Sequence, residues 1–194
     1  MGYFPVMVDM EGKSVAIVGS TSAAQQKTRQ LVAVGAQVTV FGCGLEPALP
    51  RSTGLSVRVY DRLPQPEDLM TCVLVIAAHA DGTVNQAVRL MADRVRVLVN
   101  VVDDREASNC IMVSQLRRGD LVVGVSTSGI APGLARRIRL ELEPLFGSDW
   151  AQWLTRFGVL RKEILAHPDP MTRRQLLTRE EERVMARWTP CQRK

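Results

Sequence analysis

The hydrophobic positions of the first hundred residues fall in short runs that alternate with amphipathic stretches. The run Ser14–Val18 is rich in β-branched residues and ends at Gly19, which predicts a buried parallel strand. Residues 23–34 place apolar side chains at helical spacing and stop at Gly35, a residue typical of helix C-termini. The run Gln37–Phe41 predicts a second strand. Together these segments predict a βαβ unit.

The same alternation continues to about residue 103. Further strands are predicted over 56–61, 72–78 and 95–103, with helices over 66–70 and 83–94. This order predicts an α/β fold, a Rossmann-like doubly wound parallel sheet with right-handed crossovers. Ligands of such sheets bind beyond the carboxyl ends of the strands. The residues at those ends are candidates for a ligand site: Gly19, Cys43, Gly44, His79 and Asp103.

The pattern changes after Asp104. The residues from Cys110 predict a short helix, then a β segment over 120–127, then a helix that begins at Pro132. From Ser148 onward the spacing predicts only two amphipathic helices, over 149–166 and 171–188. We therefore expect three parts: a nucleotide-binding Rossmann domain over 1–112, a small α/β segment over 113–146, and a C-terminal helical domain over 147–194.

Composition and charge narrow the classes of partner. No apolar run reaches the length of a membrane span, and the N-terminus lacks a signal-peptide pattern, so we expect no membrane association and a cytoplasmic location. The net charge of +5 comes largely from late arginines, including Arg136, Arg137 and Arg139. No reader motif or exposed aromatic pattern accompanies them, which argues against a nucleic-acid partner. They are typical of solvated helix faces, or would attract an acidic small molecule.

The cysteines and histidines predict no metal site. The four cysteines are scattered at Cys43, Cys72, Cys110 and Cys191, without a C-x-x-C pair, and neither histidine lies near one in sequence. Reduced thiols in a reducing compartment fit this distribution best.

The turn after the first strand departs from the usual dinucleotide-binding pattern. It reads Gly19-Ser20-Thr21-Ser22-Ala23-Ala24, with Thr21 at the second glycine of G-x-G-x-x-G/A. If that position needs a positive φ, a β-branched residue costs on the order of 1–2 kcal/mol. The three hydroxyls can instead donate to phosphate, and a helix N-terminus attracts anions. We expect weakened rather than absent cofactor binding.

Several segments in order resemble one known family. They are YFPVMVDMEGKSVAIVG, LVAVGAQVTV, LVIAAHADGTVNQAV, VLVNVVDD and GDLVVGVSTSGIAPGLARRIR, and they run from Tyr3 to Arg139. This set is similar to the precorrin-2 dehydrogenase module of siroheme synthases. The resemblance implies NAD-dependent oxidation of precorrin-2, an anionic tetrapyrrole, to sirohydrochlorin. Some members of the family also insert ferrous iron, and whether this chain does so stays open.

The resemblance also implies roles for particular residues. Asp103 matches the family's catalytic aspartate, although a solvated loop acid or a helix cap is the plainer interpretation of its local sequence. Thr127 and Ser128 match positions on the substrate or chelatase side, and the segment over 113–146 matches the dimerisation region, which implies a homodimer. His79 replaces a family threonine and is either a gained functional group or a surface replacement. The cofactor contacts map to Gly19, Ser20, Thr21, Ser22, Ala23, Cys43, Gly44 and His79.

Two other classes of function remain open at this point. A non-catalytic tetrapyrrole carrier or partner protein on the same scaffold fits the altered turn, whereas retention of Asp103 argues against it. A nucleotide-sensing Rossmann module without chemistry leaves both Asp103 and the basic tail unexplained.

Overall fold

The computed structural model describes residues 2–42 and 57–188, and the chain divides into two compact units, Met1–Met112 and Val113–Lys194. The first unit holds a five-stranded sheet in the order β3-β2-β1-β4-β5 whose neighbouring strands all pair in parallel. The strands are β1 (Ser14–Val18), β2 (Gln37–Phe41), β3 (Val57–Tyr60), β4 (Leu74–Ala77) and β5 (Leu98–Val101). The helices are α1 (Ser22–Val32), α2 (Pro66–Leu69) and α3 (Gly82–Arg94). The predicted doubly wound sheet is confirmed.

The core lies on both faces of this sheet. Along β1, Ala16 and Val18 belong to one buried cluster, whereas Val15 and Ile17 belong to another. The alternation follows from the two-residue period of a strand, and burial on both faces explains the continuous apolar run of β1. The central strands are thereby fixed, so the loops at their carboxyl ends start from rigid positions.

The second unit begins with an antiparallel hairpin of β6 (Ser114–Arg118) and β7 (Leu121–Val125). The short helix predicted from Cys110 is wrong, because residues 114–118 form a strand whose only buried side chain is Leu116, which is 3% exposed. Gly119, at φ 60°, opens the two-residue turn between the strands.

Helices follow the hairpin in the second unit. They are α4 (Pro132–Leu142), a 3₁₀ turn (Glu143–Leu145), α5 (Asp149–Leu165) and α6 (Pro170–Arg187). The predicted helical C-terminal region is confirmed. Across the described residues, no helix combines the length and apolar character needed to cross a membrane.

Candidate functional site

The centre of the candidate site is the gap between the carboxyl ends of β1 and β4. From β1 the chain proceeds to β2 on one side, whereas β4 and β5 lie on the other, which makes this the topological switch point of the sheet. Gly19 follows β1 with φ 118°, and a Cβ added there would lie 2.3 Å from the Ala78 carbonyl oxygen after β4. Only glycine fits this close approach of two backbones.

Thr21 caps helix α1 and also ties it to β4. Its φ of −64° and ψ of 163° are ordinary extended values, so this position does not need a positive φ and the threonine carries no backbone strain. Its Oγ1 accepts a hydrogen bond from the Ala24 amide at 3.2 Å and donates one to the Ala78 carbonyl at 2.9 Å. The hydroxyl proton predicted to reach a phosphate is therefore already in use.

The N-terminus of α1 keeps donors for an anion despite this cap. Within the described part of the chain, the amides of Ser22 and Ala23 have no hydrogen-bond partner, and the Ser20 and Ser22 side chains are exposed. Free amides and the helix dipole together attract phosphate. Ala24 is buried and lets α1 pack closely on the sheet. The donor set fits a pyrophosphate, with one amide fewer than an uncapped helix offers.

The loop after β4 is held by a residue that sequence reasoning missed. The buried side chain of Asn85 on α3 accepts from the His79 amide and donates to the His79 carbonyl, both at 2.9 Å. The signal for this clamp was an amide placed between Val84 and Val88 on the apolar face of α3. The loop is thereby rigid although it is partly exposed to solvent.

The tautomer of His79 follows from its surroundings. Its Nδ1 accepts a hydrogen bond from the Asp81 amide at 3.0 Å, so the neutral ring carries its proton on Nε2. Asp81 caps α3 by accepting from the Thr83 hydroxyl and amide, and these bonds hold the pKa of its carboxyl below the usual value. His79 therefore offers its Nε2–H as a donor at this edge of the sheet. The lone pair of Nδ1 is already used by the Asp81 amide.

Two consecutive aspartates follow β5 and have different surroundings. Asp104 accepts from the Ala107 amide at 2.9 Å and from the Gln86 side chain at 3.2 Å. Asp103 is exposed, has a left-handed φ of 61°, and makes no hydrogen bond or ion pair with any residue that the structure describes. A non-glycine residue in this conformation is uncommon and clusters at functional sites.

The loop that follows is fastened to β5 and supports this turn. The Ser108 hydroxyl accepts a hydrogen bond from the Val101 amide and donates one to the Val101 carbonyl. The Asn109 side chain accepts from the Val99 amide at 2.7 Å. These bonds satisfy the outer edge of the sheet. Asp103 therefore stands on a fixed backbone.

An aromatic and guanidinium cluster lies where β2 and β3 end. The rings of Phe41 and Tyr60 stack with centroids 5.5 Å apart, and the Arg62 guanidinium lies about 5 Å from both. Arg62 also binds Asp68 with two hydrogen bonds, which hold the pKa of that carboxyl below its usual range. Cys43 and Gly44, the predicted cofactor contacts after β2, lie outside the described residues.

Thr127 and Ser128 belong to the second unit, in the turn before α4. The Thr127 hydroxyl accepts from the Ala131 amide at 3.0 Å, and Ser128 has a left-handed φ of 54°. Along α4, Arg136 and Arg137 are exposed without an ion pair to a described residue, whereas Arg139 pairs with Glu143. The substrate role of this turn stays a prediction. In the described part of the chain, no three metal-ligating side chains come together.

Comparisons with known proteins agree with this architecture. Residues 6–114 match a family model described as "Putative NAD(P)-binding". Siroheme synthase 1 of Yersinia pestis is 34% identical over 176 residues, covering 90% of this chain, and siroheme synthase 2 of Aeromonas salmonicida is 37% identical over 145 residues, covering 75%. The chain spans only 37% and 30% of the lengths of these two relatives.

A solved structure agrees over most of both chains. The structure of SirC, a precorrin-2 dehydrogenase, superimposes with a TM-score of 0.72 at 25% identity, covering 91% of this chain and 88% of the other. The resemblance carried by the sequence motifs is thus confirmed at the level of the family.

Proposed function

The chain belongs to this NAD(P)-binding family, with siroheme synthases and a precorrin-2 dehydrogenase among its relatives, and we propose that it oxidises precorrin-2 to sirohydrochlorin with NAD as the electron acceptor. The observation that carries the proposal is Asp103: an exposed carboxylate without a described partner, held in a left-handed turn at the carboxyl end of β5. Its neighbour Asp104 supports the loop instead. One acid of the pair is thus free for chemistry.

The cofactor site has its anchor at the switch point. The amides of Ser22 and Ala23 at the start of α1 would bind the pyrophosphate, and Gly19 allows its close approach. When bound, NAD supplies the acceptor for the two electrons and one proton that leave the substrate as hydride. Of the residues that directly follow β2, the structure describes only Gly42, which cannot distinguish NAD from NADP. The choice of NAD is therefore part of the proposal.

Asp103 and His79 have different roles in the reaction, the first as a base and the second as a hydrogen-bond donor. Conversion of precorrin-2 to sirohydrochlorin also releases one proton, and the Asp103 carboxylate accepts it as general base. His79 does not compete as a base, because its Nδ1 already accepts from the Asp81 amide. Its Nε2–H instead positions an acceptor group of the cofactor or substrate. A carboxylate-rich tetrapyrrole also suits the positive net charge of the chain.

The test compares Asp103→Asn with Glu106→Gln, an exposed acid of the same loop. Asparagine tolerates the left-handed backbone, so Asp103→Asn removes the base without removing the turn. With precorrin-2 and NAD, we expect wild type and Glu106→Gln to produce NADH and the sirohydrochlorin spectrum, and Asp103→Asn to lose roughly 100-fold or more in turnover. Equal turnover by Asp103→Asn would overturn the role of this carboxylate.

Binding data separate the enzyme from the carrier. If the wild-type chain binds precorrin-2 but neither binds NAD nor forms NADH, the non-catalytic carrier replaces the enzyme. The observation that favours this second candidate is the Thr21 cap, which withdraws the Ala24 amide from the anion site.

We also propose that the chain is a cytoplasmic homodimer. Exposed apolar side chains follow one another on and before α4, with Ile130 75%, Leu134 53% and Ile138 39% exposed. Leu134 and Ile138 are four residues apart and share one helix face. Of the cysteines that the structure describes, Cys72 and Cys110 are free thiols, which suits a reducing compartment.

A further inference from the structure

All three tryptophans of the chain come together in the C-terminal unit. Trp150 lies with its ring centroid 5.7 Å from Trp153 and 6.1 Å from Trp188. Phe146 stacks on Trp188 at 5.5 Å, and Phe157 stacks on Trp153 at 5.3 Å. We call these five residues the tryptophan cluster. The Trp188 indole is fixed by a 2.7 Å hydrogen bond from its Nε1 to the Leu145 carbonyl.

The tryptophan cluster borders a cavity of about 400 Å³. All three indoles are only partly buried, and each contributes to the cavity wall. A cluster that served only as a core would close on itself and exclude solvent. The volume lies within the range of roughly 300–1,000 Å³ that is usual for small-molecule sites. Packing within the unit therefore leaves room for a ligand.

Polar groups at the cavity are free to bind. Arg156 and Asp149 both line it, both are exposed, and neither makes a hydrogen bond or ion pair with another described residue. The guanidinium can hold a carboxylate with two parallel hydrogen bonds, and the carboxylate of Asp149 can accept from an N–H group. Tryptophan faces prefer a flat conjugated ring. The matching ligand has a conjugated ring, a ring N–H and a carboxylate.

We propose that this cavity binds one carboxylated pyrrole ring of a tetrapyrrole. A volume of about 400 Å³ suits a single substituted ring rather than the whole macrocycle. The choice of a tetrapyrrole, rather than another pyrrole acid, rests on the proposed function. The site is built wholly from residues of the second unit, none of which takes part in the chemistry assigned to Asp103.

The tryptophans provide a readout specific to this cavity. In ¹⁵N-labelled full-length protein, every tryptophan indole N–H signal comes from the cluster. The probe is porphobilinogen, a single pyrrole that carries an acetate and a propionate. We expect saturable shifts of the indole signals as porphobilinogen is added. The absence of such shifts at millimolar probe would overturn the proposal.

Variants distinguish this site from the catalytic one. Because Arg156→Gln removes a charge-assisted contact, we expect porphobilinogen affinity to fall roughly tenfold. Arg161→Gln, an exposed arginine of the same helix that does not line the cavity, should bind as the wild type does. Equal affinity in Arg156→Gln and wild type would refute the assignment.

The two proposals fail separately in these experiments. Asp103→Asn should retain the indole shifts, because the cavity does not include Asp103. If the wild type showed the indole shifts but no NAD-dependent turnover, only the enzymatic proposal would be overturned. Turnover with no porphobilinogen binding would remove the cavity proposal and leave the enzyme intact.

Discussion

The Thr21 hydroxyl after β1 donates a 2.9 Å hydrogen bond to the Ala78 carbonyl after β4, across the switch point of the sheet. In the usual dinucleotide turn this position holds a glycine, whose missing side chain admits the pyrophosphate. Here the side chain folds back onto its own helix and accepts from the Ala24 amide. The chain has thus exchanged one anion donor for a cap that joins two loops.

This exchange predicts opposite effects on stability and cofactor affinity. Thr21→Ala removes the cap and leaves the Ala78 carbonyl without its partner, so we expect a loss of about 1–2 kcal/mol in unfolding free energy. The Ala24 amide becomes free to bind phosphate, and NAD affinity should rise roughly two- to fivefold. Urea denaturation and calorimetric titration measure the two quantities.

Thr21→Ser is the matched control, because it keeps both hydrogen bonds. It should resemble the wild type in both measurements. Unchanged NAD affinity in Thr21→Ala would mean that the Ala24 amide takes no part in anion binding.

The surroundings of Gly19 leave no room for a side chain. A Cβ there would lie 2.3 Å from the Ala78 oxygen, and the φ of 118° excludes other residues independently. We expect Gly19→Ala to cost roughly 2–5 kcal/mol from strain and overpacking combined. Gly82→Ala is the control, because a Cβ at the start of α3 meets nothing within 4 Å. That change should shift stability by under about 1 kcal/mol, and similar losses in the two variants would contradict the close-approach argument.

The sequence predicted the sheet well because its signals are local. Glycine-bounded apolar runs and helical periodicity located all five parallel strands, and strand polarity brings Gly19, His79 and Asp103 to one edge. The conformation of Thr21 was not predictable, because its bond to Ala78 spans 57 positions and depends on the tertiary fold.

The clamp of His79 by Asn85 was missed for a related reason. The position of Asn85 on the apolar face of α3 indicates a buried amide, but the sequence does not indicate that its partners are the amide and the carbonyl of His79. Of the hairpin, β7 was predicted and β6 was not. The β6 sequence SQLRR has a single inward side chain, Leu116, which is too few to show the two-residue period of a strand. Local sequence patterns therefore predict the helices and strands, whereas the geometry of the site depends on contacts between them.

The buried thiol of Cys110 predicts a loss of stability at high pH. Burial raises the pKa of the Cys110 thiol to about 11, from the usual value of 9.0 that the thiol has in an unfolded chain. Between these two values the unfolded state loses its proton while the folded state keeps it. The contribution of the neutral thiol to stability is therefore complete below about pH 9 and is lost as pH approaches 11. We expect this contribution to reach no more than roughly 2 kcal/mol, given that the thiol is only partly buried.

Comparison with Cys110→Ala isolates that contribution. The stability gap between wild type and Cys110→Ala should narrow from pH 8 to pH 10.5 in urea denaturation under reducing conditions. Val102→Ala is the control, since Val102 packs against the same cluster and carries no titrating group. Its gap to the wild type should not depend on pH; a constant gap for Cys110→Ala as well would contradict the assigned pKa.

The exposed face of α4 provides the test of the homodimer. If Leu134 is buried between two subunits, a charge placed there must lose its water without gaining a partner, which costs several kcal/mol. We therefore expect Leu134→Glu to weaken self-association roughly a hundredfold or more. Leu90→Glu makes the same change at a residue of α3 that is 59% exposed and belongs to the other unit, so it should leave association unchanged. Sedimentation equilibrium should give wild type and Leu90→Glu twice the chain mass of 21.5 kDa, and Leu134→Glu the single mass. A monomeric wild type, or a dimer that survives Leu134→Glu, would place the apolar face of α4 outside any subunit interface.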